Sequence, residues 1–168
     1  SVKKLEADIR ALARQEVDRM AAMDGRCDFM TDVALGYPLH VIMSILGVPM
    51  SDKARMLRLT QDIFGAQDAE QAKKAKTFQM LPDFATNFLI KAFLADFTKY
   101  FMKIAKDRRK NPRDDLATVI ANAVIDGEPI SDREATGYFT IVATAGHDTT
   151  SSSLAGGMGV LARDPGLL

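Results

Sequence analysis

Several residue types on which particular protein classes depend are scarce in this sequence of 168 residues. Its one cysteine, Cys27, excludes an internal disulfide and is typical of a reducing compartment. The two histidines, His40 and His147, leave too few ligands for a metal site of the His/Cys type. Lys and Arg number 22 and so do Asp and Glu, so the net charge does not suggest nucleic acid or an anionic membrane as a partner.

Long uncharged stretches are also rare, and the one from Thr136 to Ala162 is interrupted by Asp148. Glycine, serine and threonine dilute its apolar residues, so we do not expect this stretch to span a membrane. We find no signal-peptide pattern, Gly-rich phosphate loop, alternating strand pattern or internal repeat. These absences predict a soluble, cytoplasmic protein of the all-α class.

The sequence instead contains a series of amphipathic helices separated by glycine and proline. We expect Ser51 to cap one helix, and Ser131-Asp132-Arg133-Glu134 is an S-x-x-E capping box for the last one. Asp126-Gly127-Glu128-Pro129 predicts a turn or a small hairpin. The predicted helices cover residues 2–22, 29–35, 38–46, 52–64, 82–109, 114–123 and 131–163, all in one partial domain, 1–168.

Two charged patterns have an ordinary structural interpretation. Lys106 and Arg108–Lys110 crowd the end of the long fifth helix, where they can bind carbonyls and complement the helix dipole. We prefer this interpretation to nucleic-acid binding. Glu16 and Arg19 have the spacing of an i, i+3 ion pair on the first helix. The Phe/Tyr stripe of the fifth helix is expected to be core.

The stretch ATAGHDTTSS, residues 143–152, is unusual for a helix that otherwise resembles core. The Thr149 hydroxyl can bond the Ala145 carbonyl and loosen the helix, and an acid, Asp148, stands beside it. Small residues at 145 and 146 allow a flat or wide group to approach the backbone. One interpretation is a proton path into a dry pocket; the other is a tightly packed helix with Asp148 paired to an arginine. A continuous helix would place four residues on one face: Ile141, Ala145, Thr149 and Ser152.

The hexapeptide A-G-H-D-T-T, Ala145–Thr150, resembles the oxygen-activation motif of the cytochrome P450 family, [AG]-G-x-[DE]-T-[TS]. Two other segments resemble the family in the expected order, DFMTDVALGYPLHVIMSILGVP (28–49) and DRRKNPRDDLATVI (107–120). They are most similar to soluble bacterial members that hydroxylate terpenoids such as α-terpineol. The resemblance covers essentially the whole chain. It implies the central helical part of the P450 fold, ending in the long distal helix that crosses the haem.

The resemblance also implies roles for individual residues. Ala145 and Gly146 would line the oxygen site of a haem b cofactor, and Thr149 would donate a hydrogen bond to the oxygen bound there. Asp148 would relay protons to the same place. Residues that would contact the substrate are Ile141, Thr144 and Ala145.

His147 occupies the variable position of the motif, and we interpret it as a packing or hydrogen-bonding residue rather than a catalytic one. The polar connection 66–77, with Phe64 and Phe78, is where the resemblance implies an access lid. A small apolar substrate (a terpenoid or aromatic hydrocarbon), O₂ and a ferredoxin-type electron donor are the implied partners.

The segment that would carry the axial Cys of the haem, F-x-x-G-x-x-x-C-x-G, does not occur in this sequence. Cys27 stands in GRCDF and does not match it. We therefore expect an internal fragment of a haem-thiolate monooxygenase that is inactive by itself. One alternative is a non-enzymatic helical domain that binds a small molecule or has a regulatory role. The other is a purely structural helical bundle.

Overall fold

The computed structural model describes residues 2–64 and 83–167, which are mainly helical, so the all-α prediction is confirmed. A π-helix (Phe29–Ala34) precedes the second α-helix, and 3₁₀ turns cover Met50–Asp52 and Pro165–Leu167. Strands β1 (Val124–Ile125) and β2 (Glu128–Pro129) pair antiparallel. The α-helices are α1 (Val2–Ala21), α2 (Gly36–Leu46), α3 (Lys53–Phe64), α4 (Asp83–Lys110), α5 (Leu116–Ala121), α6 (Asp132–Ala145) and α7 (Asp148–Arg163).

The chain divides into two compact units, of which the first comprises residues 1–57 and 143–168. In this unit α7 packs against the π-helix and α2, and α2 packs against α1. The Tyr37 hydroxyl donates to the carbonyl of Ile9 at 3.4 Å and so joins α2 to α1. The apolar residues buried here include Val33, Ala34, Leu39, Met43, Leu46 and Val48.

The second unit, residues 58–142, has an aromatic core. Phe101 stacks on Phe139 with ring centroids 5.1 Å apart and lies 4.7 Å from Phe97, and Tyr100 meets it edge-on. All four aromatic side chains are buried, and burial of the three on α4, Phe97, Tyr100 and Phe101, was predicted from the stripe. Such ring pairs stabilise a core beyond the apolar area they bury.

The basic end of α4 makes intramolecular contacts in the second unit. Arg108 is buried and forms an ion pair with Asp115 at 2.7 Å. The neighbouring Arg109 donates to the carbonyls of Ala121 and Ile130 and pairs with Asp132 at 2.5 Å. These two arginines therefore bind carbonyls and carboxylates, as the structural interpretation predicted, although the carbonyls belong to later elements and not to α4.

Three other local predictions are confirmed. Asp126 and Gly127 both have positive φ, 52° and 86°, the conformation that a two-residue type I′ hairpin turn requires. The capping box has formed, since the Ser131 amide donates to Glu134 Oε2 at 3.1 Å and the Glu134 amide donates to Ser131 Oγ at 3.2 Å. Glu16 and Arg19 form their ion pair at 2.8 Å.

Two predicted helix boundaries were wrong. Ser51 does not cap α3, because it lies inside the 3₁₀ turn, where the Asp52 amide bonds the Pro49 carbonyl at 2.9 Å. Gly36 does not separate two helices, because the chain passes from the π-helix into α2 through Leu35 in a right-handed helical conformation. Gly47, by contrast, adopts the left-handed conformation and ends α2 as predicted.

Among residues 2–64 and 83–167, the stretch long and apolar enough to cross a membrane is Phe29–Leu46, and not the Thr136–Ala162 run singled out from sequence. Phe29–Leu46 is a π-helix followed by α2, and a third of it is buried inside the first unit. A core helix of a water-soluble protein can be equally long and apolar. The predicted lid, residues 66–77 with Phe78, lies outside the described residues, as does the side chain of Phe64.

Candidate active site

The helix predicted over residues 131–163 is interrupted at Gly146–His147, so that α6 ends at Ala145 and α7 begins at Asp148. Across the interruption the His147 amide donates to the Thr144 carbonyl at 3.3 Å. The next turn resumes normally, since the Ser151 amide bonds the His147 carbonyl at 3.0 Å. The single long helix was therefore a wrong prediction, and the motif contains the interruption.

The interruption changes the electrostatic position of Asp148. In the middle of a continuous buried helix a carboxylate would be costly. As the first residue of α7, Asp148 instead lies at the positive end of the helix dipole, where a negative charge is stabilised. Its side chain is also half-exposed and not buried.

The hydroxyls of this region bond the backbone of their own helix. Thr149 Oγ1 donates to the Ala145 carbonyl at 2.6 Å, which is the bond predicted from sequence. Ser151 donates to the His147 carbonyl and Ser153 to the Thr149 carbonyl, each at 2.8 Å. A hydroxyl that bonds the carbonyl four residues back is satisfied without a partner helix, and such bonds bend or loosen a helix.

Several side chains of this region are open to solvent. Ile141 on α6 is 62% exposed, and Ala145, Thr149 and Ser152 are exposed as well. These four residues are those that a continuous helix would have placed on one face. Apart from Ile141 they carry small side chains, so the backbone near the interruption is accessible to a flat group.

Other side chains of the region are buried in the first unit. Ala143, Thr144, His147 and Ser151 are at most 5% exposed. The His147 ring lies with Nε2 3.0 Å from the Leu35 carbonyl, at the junction of the π-helix and α2. Burial lowers the pKa of His147, while the hydrogen bond to Leu35 and the charge of Asp148 act in the opposite direction. The interpretation of His147 as a packing and hydrogen-bonding residue agrees with this environment.

Ala145 ends α6, Gly146 lies in the interruption, and Asp148 and Thr149 begin α7. Thr144, a predicted substrate contact, is instead only 5% exposed. Sequence reasoning did not find Leu35 as the partner of His147, since the two residues are 112 positions apart. The histidine itself, within a motif, was the only signal available.

Candidate metal ligands are sparse. No group of three or more His, Cys, Asp or Glu side chains that could hold a metal ion occurs within residues 2–64 and 83–167. Cys27 is exposed in the irregular segment between α1 and the π-helix. The described residues therefore do not offer a recognisable axial ligand for a metal-containing cofactor.

Comparison with known proteins identifies the group to which this site belongs. Residues 3–168 match the family model described as Cytochrome P450. The chain belongs to the cytochrome P450 family. It is 45% identical over 165 residues to Cytochrome P450-terp from a Pseudomonas species, covering 98% of this chain and 38% of that protein. A Steroid C26-monooxygenase of Mycolicibacterium smegmatis is 32% identical, with coverage of 98% and 35%.

A solved P450 structure matches the fold as well. CYP108D1 from Novosphingobium aromaticivorans aligns with a TM-score of 0.80 and 47% identity, covering 99% of this chain and 36% of that one. The chain thus spans well under half the length of the P450 relatives that it matches. P450 proteins bind haem b. The small, exposed side chains at Ala145 and Thr149 fit the distal side of a haem, and the thiolate ligand is not expected from Cys27.

Proposed function

We propose that this chain is the oxygen-activating part of a haem-thiolate monooxygenase that hydroxylates a small apolar substrate. The observation that carries the proposal is the interrupted distal helix, which presents Ala145 and Thr149 on an exposed side with Asp148 next to them. Membership in the P450 family supports it. Nothing in the described residues favours a non-enzymatic ligand-binding or regulatory domain.

The bound haem would supply the iron at which O₂ is reduced and one oxygen atom is inserted into a C–H bond. The other oxygen atom leaves as water, so each hydroxylation consumes two electrons and two protons. Protons must therefore reach a pocket that excludes bulk water. Half-exposed Asp148 can take a proton from solvent. Thr149 Oγ1, whose own hydrogen is donated to the Ala145 carbonyl, can accept a hydrogen bond in the pocket, or donate one there once the bond to Ala145 is released. Ala145 and Gly146 leave room for the cofactor.

The names of the relatives support an apolar substrate. The Pseudomonas relative is named Cytochrome P450-terp, and others are named for a steroid and for methyl-branched lipids. With the terpenoid-hydroxylase resemblance of the motif segments, we propose a terpenoid or aromatic hydrocarbon, contacted by the exposed Ile141 and Ala145 and not by the buried Thr144. We further propose O₂ as co-substrate, a ferredoxin-type electron donor and a cytoplasmic location. The active protein would also contain the segments that supply the axial Cys.

The test compares Thr149→Ala with Thr150→Ala in the complete haem-containing enzyme. The two threonines are adjacent and both exposed. Each variant therefore removes the same hydroxyl and methyl group, but from side chains that point in different directions. Positioned proton donors contribute about 10²–10⁴ in rate, so we expect Thr149→Ala to lower product formed per electron by about tenfold or more. Peroxide release should rise correspondingly. Equal coupling in the two variants would remove the role proposed for Thr149.

A further inference from the structure

The imidazole of His147 is the most deeply buried ionisable group at the interruption. Its side chain is 1% exposed, and Nε2 lies 3.0 Å from the Leu35 carbonyl. Nδ1 is buried without a hydrogen-bond partner among the residues that the structure describes. The proton-transfer role proposed for Asp148 and Thr149 makes no use of this ring.

The partners of the ring determine its chemical form. A carbonyl oxygen only accepts, so Nε2 must carry the hydrogen that is donated to Leu35. A second hydrogen on Nδ1 would place a buried N–H where no described acceptor lies, which is costly. His147 is therefore a neutral imidazole with a fixed tautomer, and its one donor is committed to Leu35.

Leu35 is a fixed point in the first unit. Its amide donates to the Met30 carbonyl at 3.0 Å, which closes the last turn of the π-helix. Its carbonyl, at the start of α2, accepts the hydrogen bond from Nε2 of His147. Because α7 packs on the π-helix, the bond connects the first turn of α7 to an element whose position is set by its own backbone.

The position of His147 on the helix determines where the reactive residues point. Two residues further along an α-helix correspond to a rotation of about 200°, so Thr149 lies almost opposite His147. Burial follows this geometry, because His147 and Ser151 are buried while Thr149 and Ser152 are exposed. If the His147 ring is held, Thr149 is held facing outward.

Apart from the packing of α7 on the π-helix and α2, the hydrogen bonds that Thr149 and Ser151 make stay within α6 and α7. His147 makes no side-chain capping bond to the described first turn of α7, and the backbone bond across the interruption is long, at 3.3 Å. Thr149 bonds only one turn back, to Ala145, on the other side of the interruption. The bond between His147 and Leu35 joins this turn to another element, the junction of the π-helix and α2.

We propose that His147 is a positioning residue, whose hydrogen bond to the Leu35 carbonyl fixes the rotation of the first turn of α7 and so aims Asp148 and Thr149 at the oxygen-binding side. This inference rests on the proposed monooxygenase function. It predicts that loss of the bond misdirects protons while substrate binding is kept.

The experiment uses the complete haem-containing enzyme with three substitutions of the same residue. His147→Leu replaces the imidazole with an apolar side chain of moderate size and so removes the hydrogen-bond donor. His147→Gln returns an amide N–H at about the reach of Nε2, and His147→Asn carries a donor that is too short to reach Leu35. Ile120→Val, a core change on α5 that leaves both ends of the bond unchanged, is the control for general destabilisation.

Two measurements are made on each variant. The first is product formed per electron, with the dissociation constant of the substrate measured alongside it as a control. The second is amide hydrogen exchange in peptides covering 29–36 and 147–153. In His147→Leu we expect product per electron to fall about fivefold or more, since small misplacements of reacting groups have large effects on rate. The dissociation constant should change less than twofold. Exchange should be faster in both peptides, and His147→Gln should restore both readouts.

Wild-type coupling and exchange in His147→Leu would overturn the proposal, and so would a loss that Gln does not relieve or that Ile120→Val reproduces. If the Leu variant does not fold, the Gln and Asn variants carry the same comparison. Thr149→Ala separates the two proposals. If it leaves coupling unchanged, the proposed function has failed, and exchange alone then decides whether His147 holds the turn.

Discussion

The buried ion pair between Arg108 and Asp115 allows a strong prediction about stability. The side chains are 5% and 7% exposed, and Arg108 Nε lies 2.7 Å from Asp115 Oδ2. Asp115 also caps α5, accepting from the Thr118 amide at 2.8 Å and the Thr118 hydroxyl at 2.7 Å. Burial raises the pKa of Asp115, but the hydrogen bonds from Thr118 and Arg108 outweigh it and hold that pKa below its ordinary value. The carboxylate therefore stays charged at neutral pH.

Arg108→Met removes the cation and leaves that carboxylate in place. Removing one partner of a buried pair typically costs about 3–5 kcal/mol. We expect about 3 kcal/mol here, the low end, because both Thr118 bonds remain. The matched control is Arg58→Met, because Arg58 and Asp96 are 3.7 Å apart with side chains 65% and 40% exposed. An exposed pair of this kind contributes about 0–1 kcal/mol.

The assay is native-state hydrogen exchange of the amides of α5 in the complete enzyme, because it reports local stability without requiring reversible unfolding. A loss of about 3 kcal/mol corresponds to exchange roughly 100-fold faster, against about fivefold or less for Arg58→Met. Adding Asp115→Asn to Arg108→Met should cost less than the sum of the two changes, because the unpaired charge is removed. Equal acceleration in Arg108→Met and Arg58→Met would refute the reasoning.

Three further predictions concern the motif and the cofactor. Asp148→Asn in the complete enzyme should slow turnover about tenfold or more while substrate affinity is kept; a loss of affinity alone would contradict the proton-relay role. Burial lowers the pKa of His147 below 6.5, so the unfolded chain takes up the proton first. The free energy of unfolding should therefore fall on acidification from about pH 6.5, and it should fall less steeply with pH in His147→Gln. The pKa of His40 is also lowered, but His40 is present in both proteins and so does not affect the comparison. The chain mixed with hemin and carbon monoxide should give no thiolate-type Soret band; such a band would contradict the assignment of the ligand to another segment.

The features that were predictable from sequence are those in which the interacting residues are close along the chain. In each of these features the partners are at most four positions apart: the Ser131–Glu134 capping box, the hairpin turn at Asp126-Gly127 and the Thr149–Ala145 bond. Local stereochemistry determines such contacts before any tertiary packing exists. The same holds for the end of α2 at Gly47.

The features that were missed depend on residues far apart in sequence or on competing local signals. The bond between His147 and Leu35 spans 112 positions, and Arg109 reaches Ile130 across 21. The run from Thr136 to Ala162 contains no proline, so nothing in its periodicity predicted the interruption at Gly146–His147. Glycine, serine, threonine and aspartate are weak helix formers, so local propensity does little to keep the helix continuous there against the packing of His147 at the π-helix junction.

An interruption inside the motif also accounts for its polar residues. In the middle of a continuous helix Asp148 would lie far from a helix start, whereas the interruption places it in the first turn of α7. Asp148 gains the positive end of α7, the hydroxyls bond their own backbone, and His147 faces inward as Thr149 faces outward. The buried contact of His147 and the outward direction of Asp148 and Thr149 therefore depend on each other. A rotation of this turn that releases His147 would also turn Thr149 away. Variants of His147 and Thr149 should for this reason be non-additive in coupling, with the double variant little worse than Thr149→Ala alone. Fully additive losses would show that the two residues act independently.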